Sequence, residues 1–271
     1  MWIYQHKHFA VHQLAALSDN YIYLIAPHNS SANSPLLIAV DPAEADPVVA
    51  ACEQLGRPLT HILNTHHHWD HTGANLELKE TYGCTIIGNA ADAARIPGID
   101  QALNPGDGLA GEDLRLGDLK ISVLDVPGHT LGHIAYVIDD ALFCGDTLFG
   151  AGCGRLFEGT PEQMWHSLSR LALLADDSRV YCAHEYTLAN LAFAVAMDPD
   201  NAALKSRLTH DQKTRQQGKP TIPSTIGMEK ASNPFLRPAD QAFCAAYAQA
   251  HGIDADALSV FTHLRACKDR W

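Results

Sequence analysis

Thr65-His66-His67-His68-Trp69-Asp70-His71-Thr72-Gly73 follows directly on the apolar run His61-Ile62-Leu63-Asn64-Thr65, which reads as a buried strand. Side chains two apart on an extended segment point to the same side. His66 and His68 can therefore grip one ion together, while His67 faces away. Asp70 and His71 are adjacent where the chain turns, which aims them at a neighbouring point. Four titratable side chains after a buried strand would be costly to desolvate without a partner. The cluster reads as a metal site with ligands for two ions, and metal-dependent hydrolysis as the chemistry.

Three further candidate ligands stand at strand ends. His129 lies in the turn Pro127-Gly128-His129-Thr130, Asp146 ends the run Leu142 to Gly145, and His184 ends Arg179 to Ala183. Strand-end loops are where a rigid sheet collects catalytic groups. Alone, His129 or His184 is more often an ordinary polar residue than a ligand, and Asp146 alone would cap a turn. Imidazole and carboxylate donors suit zinc, iron or manganese. Asp41, after the strand Leu36 to Val40, reads as a support for a ligand histidine. His61, His67 and His133 read as structural, and His12, His210 and His251 as surface residues.

The order of elements suggests an α/β sandwich. Strands are expected at 21–25, 36–40, 61–65, 85–88, 121–126, 134–138, 142–146 and 179–184, with a turn region from Asn29 to Pro35. Helices are expected at 46–55, 73–82 and 160–174. The last opens with a capping box, Thr160-Pro161-Glu162-Gln163. After residue 185 the character becomes helical, at 188–198, 201–216, 239–251 and 255–268, with Asp200 as an N-cap and Pro220 to Pro238 as a long loop. A domain boundary is placed there.

Composition narrows the partners. The 271 residues carry a formal net charge of -12, which repels phosphate backbones, so nucleic acid is not an expected partner. None of the seven cysteines forms a C-x-x-C pair, which points to a reducing compartment. No apolar run reaches the roughly 20 residues that span a bilayer, and Met1 to Lys7 lacks a signal-peptide core. A cytoplasmic monomer without membrane contact is expected.

The His-x-His-x-Asp-His cluster, with His129, Asp146 and His184 in order, resembles the metallo-β-lactamase superfamily. Within it, Pro127-Gly128-His129-Thr130, Gly145-Asp146-Thr147-Leu148-Phe149, Ala151-Gly152-Cys153-Gly154-Arg155, His184-Glu185-Tyr186-Thr187, Asn233-Pro234-Phe235-Leu236-Arg237 and Leu264-Arg265-Ala266-Cys267-Lys268-Asp269 are similar to the glyoxalase II (hydroxyacylglutathione hydrolase) family. The resemblance implies an αββα sandwich in residues 1–184 and a smaller helical glutathione-binding domain in 185–271. It implies that His66, His68 and His129 hold one divalent ion, that Asp70, His71 and His184 hold a second, and that Asp146 bridges them. Zinc is the first expectation for the ions. A metal-bridging water held by Asp146 and Asp70 would attack the thioester of S-D-lactoylglutathione, giving D-lactate and glutathione, the second step of methylglyoxal detoxification. Arg155, Phe157, Tyr186, Arg265 and Lys268 would bind the glutathione part. Phe157 departs from the family, which often has tyrosine there.

The closest alternative is a mononuclear-iron persulfide dioxygenase of the same fold, which would not need Asp70, Asp146 and His184 as a second-metal set. A β-lactamase generally lacks the glutathione-binding tail. An RNA-processing nuclease usually carries extra domains and a basic surface. A non-catalytic metal protein would retain the metal and show no turnover.

Overall fold

Short β-branched runs alternating with helical segments build the first part of the chain, as the computed structural model shows for residues 1–29, 35–106 and 112–271. Chain contacts divide it into two compact units, Met1–Asp125 with Gly132–Gly145, and Val126–Leu131 with Asp146–Trp271.

In the first unit, β1 (Trp2–Gln5), β2 (Phe9–Ala16), β3 (Asn20–Pro27), β4 (Ile38–Val40), β5 (His61–Leu63), β6 (Thr85–Asn89) and β7 (Gln101–Leu103) form one sheet in sequence order. The pairs from β1 to β4 are antiparallel, and those from β4 to β7 are parallel. Parallel neighbours need crossovers. Helix α1 (Ala45–Leu55) supplies the first, and α2 (Trp69–Thr72) with α3 (Asn75–Tyr82) the second. The carboxyl ends of β4, β5 and β6 therefore lie side by side, where open α/β sheets gather ligands. Asp41 follows β4, the histidine cluster follows β5, and Asp92 follows β6. Strands β8 (Glu112–Leu116), β9 (Leu119–Asp125), β10 (Ile134–Ile138) and β11 (Ala141–Gly145) pair antiparallel in order. Tyr136 ties this second set to the ligand loop, its hydroxyl donating to the Asn64 carbonyl at 2.8 Å.

In the second unit, β12 (Leu148–Phe149) and β13 (Gly152–Cys153) make a tight hairpin, followed by α4 (Pro161–Leu171). The capping box forms as the sequence indicates, with Thr160 Oγ1 accepting from Gln163 N and Gln163 Oε1 from Thr160 N. Strand β14 (Arg179–Cys182) leads to helices α5 (Thr187–Met197) and α6 (Ala202–Gln216). Strand β15 (Ser224–Thr225) pairs with β14, and helices α7 (Ile226–Ser232), α8 (Gln241–His251) and α9 (Ala257–Asp269) follow. Phe193, Phe235, Phe261 and Trp165 form a run of ring contacts through this unit, with successive centroids 5.8–6.0 Å apart.

Several expectations need correction. His12 is buried, not on the surface, because β2 lies between β1 and β3. Asn201, not Asp200, caps α6, its Oδ1 accepting from Leu204 N. The helix expected at 73–82 is present as α3, and an additional helical turn, α2, precedes it from Trp69 to Thr72, so Asp70 and His71 are helical. Pro220 to Pro238 is not a loop but holds β15 and α7, with Thr225 capping α7 through Met228 N. Strands β1, β2, β7, β8, β12, β13 and β15 lie outside the expected set. The turn expected from Asn29 to Pro35 falls for the most part outside the described residues.

Candidate metal centre

The first unit holds one set of donors. After β5 the chain bends at Thr65 and His66 before α2, and His66 Nε2 lies 3.0 Å from His68 Nδ1. Two ring nitrogens this close suit a shared cation. His67 is turned away, with Nδ1 2.9 Å from Asp92 Oδ2. One turn of helix then places His71 Nε2 3.6 Å from Asp70 Oδ2. Asn20 fixes Asp70, donating from Nδ2 to Oδ2 and to the backbone carbonyl, both at 3.1 Å. His133 stacks on His66 with ring centroids 4.6 Å apart.

Asp41 organises these donors. It stands at φ +49°, so its carboxylate meets the start of the ligand loop. Oδ1 accepts from Thr65 N at 2.8 Å, and Oδ2 from the Thr65 hydroxyl at 2.6 Å and from His71 Nδ1 at 2.9 Å. Because the Thr65 hydroxyl donates to Asp41, it accepts from His66 Nδ1 at 3.1 Å. His66 and His71 are thus held with Nδ1 protonated and Nε2 as the donor to metal. Asp41, His66 and His71 bring ligand atoms within 4.8 Å of one another. Both Asp41 oxygens are already engaged by hydrogen bonds, so the carboxylate supports the ligands. Asn64 closes the loop, donating to the His71 carbonyl at 2.9 Å.

The second unit holds the complementary set. Asp146 Oδ2 lies 3.4 Å from His129 Nε2, and Oδ1 lies 3.4 Å from His184 Nε2. One carboxylate thus turns an oxygen to each of two histidines, the arrangement a bridging ligand needs. His129 donates from Nδ1 to the Arg155 carbonyl at 2.7 Å, again leaving Nε2 for metal. All three residues are buried, with exposures of 4, 7 and 4% for His129, Asp146 and His184. Gly154 presses on this site, since a Cβ there would strike the Asp146 backbone carbonyl. Imidazole and carboxylate donors with fixed tautomers, and no cysteine among them, fit a hard-to-borderline divalent cation in both units.

A cavity of about 350 Å³ in the second unit adjoins these donors. His129, Asp146, Phe149, Cys153, Arg155, Phe157, Tyr186, Asn190, Arg265 and Lys268 line it. The expected substrate residues Arg155, Phe157, Tyr186, Arg265 and Lys268 are therefore brought together. They are not equivalent. Arg155 and Phe157 are exposed, and the Phe157 ring contacts the His129 ring at 5.2 Å. Tyr186 stacks on His184, with centroids 4.7 Å apart and planes 2° from parallel. Arg265 is buried and anchored. It donates to the Cys153 carbonyl at 3.1 Å and to Asp269 Oδ1 at 2.9 Å, and its guanidinium lies 5.1 Å over Phe235. Lys268 lies over Phe193 at 5.2 Å. Burial, then the nearby Arg265 charge, hold its ammonium below the ordinary lysine value. The sequence reading missed Asn20, Asn64, Thr65 and Asn190. They are common polar types, and nothing in their spacing marks them.

Known proteins place the chain clearly. A family model described as the metallo-beta-lactamase superfamily matches residues 41–184, and one described as hydroxyacylglutathione hydrolase C-terminus matches residues 185–271. A curated hydroxyacylglutathione hydrolase of Rhodospirillum rubrum is 49% identical over 96% of this chain and 98% of its own length. Among solved structures, ETHE1 from Myxococcus xanthus is similar with a TM-score of 0.64 and 26% identity, over 95% of this chain and 98% of that one. TTHA1623, solved in a di-iron-bound form, is similar with a TM-score of 0.54 and 25% identity, over 83% of this chain and 99% of that one.

Proposed function

The chain belongs to the hydroxyacylglutathione hydrolase family of the metallo-β-lactamase superfamily, and from this premise we infer how its residues divide the reaction. It is a metal-binding thioester hydrolase that cleaves an S-(2-hydroxyacyl)glutathione to the hydroxy acid and glutathione. Residues 1–184 carry the chemistry and 185–271 complete the glutathione pocket. His66, His68 and His129 hold one divalent ion, Asp70, His71 and His184 a second, and Asp146 is shared. The like preparation of His66, His71 and His129 through their Nδ1 atoms supports this assignment, and the di-iron form of TTHA1623 is consistent with a pair of ions. Zinc fits first, with iron and manganese as substitutes. Bound there, the cations supply Lewis-acid activation of water and of the thioester carbonyl.

The residues do the rest. Asp146 and Asp70 hold the attacking water in place, and His129 and His184 fix the angle of the Asp146 carboxylate. The leaving sulfur departs as a thiolate, whose thiol has a pKa of about 8.5, so no strong general acid is required. Glutathione carries two carboxylates, and the protein as a whole is acidic. Arg155, Arg265 and Lys268 make the cavity locally cationic, so an anionic substrate is drawn to that wall. Phe157 packs against the peptide without a hydroxyl to donate. The observation that carries this function is a cavity lined by both the metal-type donors His129 and Asp146 and these three cations. We place the enzyme in the cytoplasm as a monomer acting on a small-molecule thioester, without nucleic acid or membrane. Among the described residues no helix is long and apolar enough to cross a membrane.

Thiol release from S-D-lactoylglutathione tests the reading. The metal-loaded protein is expected to release thiol, to stop after chelation, and to recover on return of divalent metal. An intact thioester contradicts it. The pH profile tests the pocket. Lys268 binds a carboxylate only when charged, so its contribution is present below its pKa and lost as pH rises through it. With that pKa depressed, KM should climb at a lower pH than an ordinary lysine would give. Lys268→Arg keeps the charge at all these pH values, so its KM should stay flat on the alkaline side. An identical alkaline rise in both proteins would remove Lys268 from the pocket's charge.

A further inference from the structure

The turn between β12 and β13 forms one wall of the substrate cavity, and its backbone is held by buried side chains from elsewhere in the second unit. Phe149, at its start, meets the rings of His184 and Tyr186 edge-on at 5.8 and 5.4 Å. Cys153, at its end, takes the Arg265 hydrogen bond. Ala151, between them, stands at φ +53°, a conformation that a non-glycine residue adopts at a cost and keeps only when its surroundings impose it.

The imposing groups are Asn233 and Glu229. Asn233 Nδ2 donates to the Phe149 carbonyl at 3.2 Å and to the Gly152 carbonyl at 2.9 Å. Glu229 Oε2 accepts from Ala151 N at 2.9 Å and from Asn233 Nδ2 at 3.0 Å. Glu229 Oε1 is held by Arg207 Nη2 at 2.7 Å, and Arg207 also reaches Ser232 Oγ and Asp211 Oδ2. Glu229 and Asn233 have no exposed surface, and Arg207 and Asp211 are 5% exposed. A buried ionic network of this kind is weak ground for stability, because the charges lose their hydration. It does fix geometry, since each oxygen of Glu229 has a different donor.

We propose that Asn233 and Glu229 are positioning residues that set the shape of the glutathione pocket by locking the Phe149–Gly152 turn. Neither touches the cavity, and both act through Phe149, Cys153 and the Arg265 anchored on Cys153. The inference rests on the glutathione reading above. It also gives a purpose to Asn233-Pro234-Phe235. Asn233 holds the turn, and two residues later Phe235 carries the Arg265 guanidinium on its ring.

The test compares Asn233→Ala with Ser232→Ala on two substrates, S-D-lactoylglutathione and the lactoyl thioester of N-acetylcysteamine, which lacks the peptide arms. Ser232 is also buried and bonds Arg207 but not the turn. Asn233→Ala should raise KM for the glutathione thioester about tenfold, the effect of one buried hydrogen bond left unmade, with kcat/KM for the truncated thioester changed by less than about twofold. Ser232→Ala should lower the melting temperature and leave both KM values in place. If Asn233→Ala does not fold, Asn233→Ser, which keeps one donor, is expected to show the same selective KM rise at smaller size. Equal losses on both substrates, or an unchanged KM in the folded Asn233 variant, overturn the positioning role. A wild-type enzyme that shows no preference for the glutathione thioester sinks the glutathione reading and this inference with it. A wild-type preference with an unmoved variant sinks the inference alone.

Discussion

Asp146→Ala is expected to reduce kcat/KM by about 10³-fold or more, because the Lewis-acid contribution it secures amounts to several kcal/mol. The basis is the placement of its two oxygens, each 3.4 Å from the Nε2 of a different histidine. Under the proposed bridging role, alanine leaves His129 and His184 with no carboxylate between them. Asp146→Asn is the sharper variant. It keeps the volume but replaces one oxygen with an amide nitrogen, which is not a metal ligand. Retained metal at one position and a collapsed rate are expected from the asparagine protein. A rate within about tenfold of wild type would show that the carboxylate does not bridge. The fold should survive either change, since the side chain faces the cavity rather than the core.

The second large effect is expected from a residue that need not touch metal. Asp41→Asn should weaken metal binding by about 10- to 100-fold, the usual result of removing a support behind a ligand histidine. Asparagine tolerates the left-handed backbone at this position, so strain is not the cause. The amide can accept with its oxygen only, whereas Asp41 accepts from Thr65 N, the Thr65 hydroxyl and His71 Nδ1. One of these donors must then face an NH₂ group. Asp41→Ala leaves all three buried donors without an acceptor, at about 1–3 kcal/mol each, so a lower melting temperature should accompany its loss of metal. Competition against a chromophoric chelator measures the first effect. Unchanged affinity in the Asp41→Asn protein would mean that His71 is oriented by other means.

The ligand cluster was legible because its donors are contiguous in sequence, and His66 and His68 do converge, with ring nitrogens 3.0 Å apart. Asp41 was legible from its place after a strand. His129, Asp146 and His184 gain meaning only through the family pattern, because their partners are distant in sequence. The network behind the pocket was not legible. Arg207 and Glu229 are 22 positions apart, and such pairs leave no local periodicity. Helix α7 was missed because seven residues with a glycine and a preceding Pro/Ser/Thr run look like a loop. Strand β2 was missed because its apolar run is interrupted by His12. Its burial reflects the strands on either side, a tertiary fact.

Elemental analysis of the active enzyme bears most directly on the proposed pair of cations. With activity and metal measured on the same samples during reconstitution, turnover should rise with the second divalent ion bound per chain and reach its maximum at two. Full thioesterase activity at a single ion per chain would contradict the shared role of Asp146 and the division of ligands built on it.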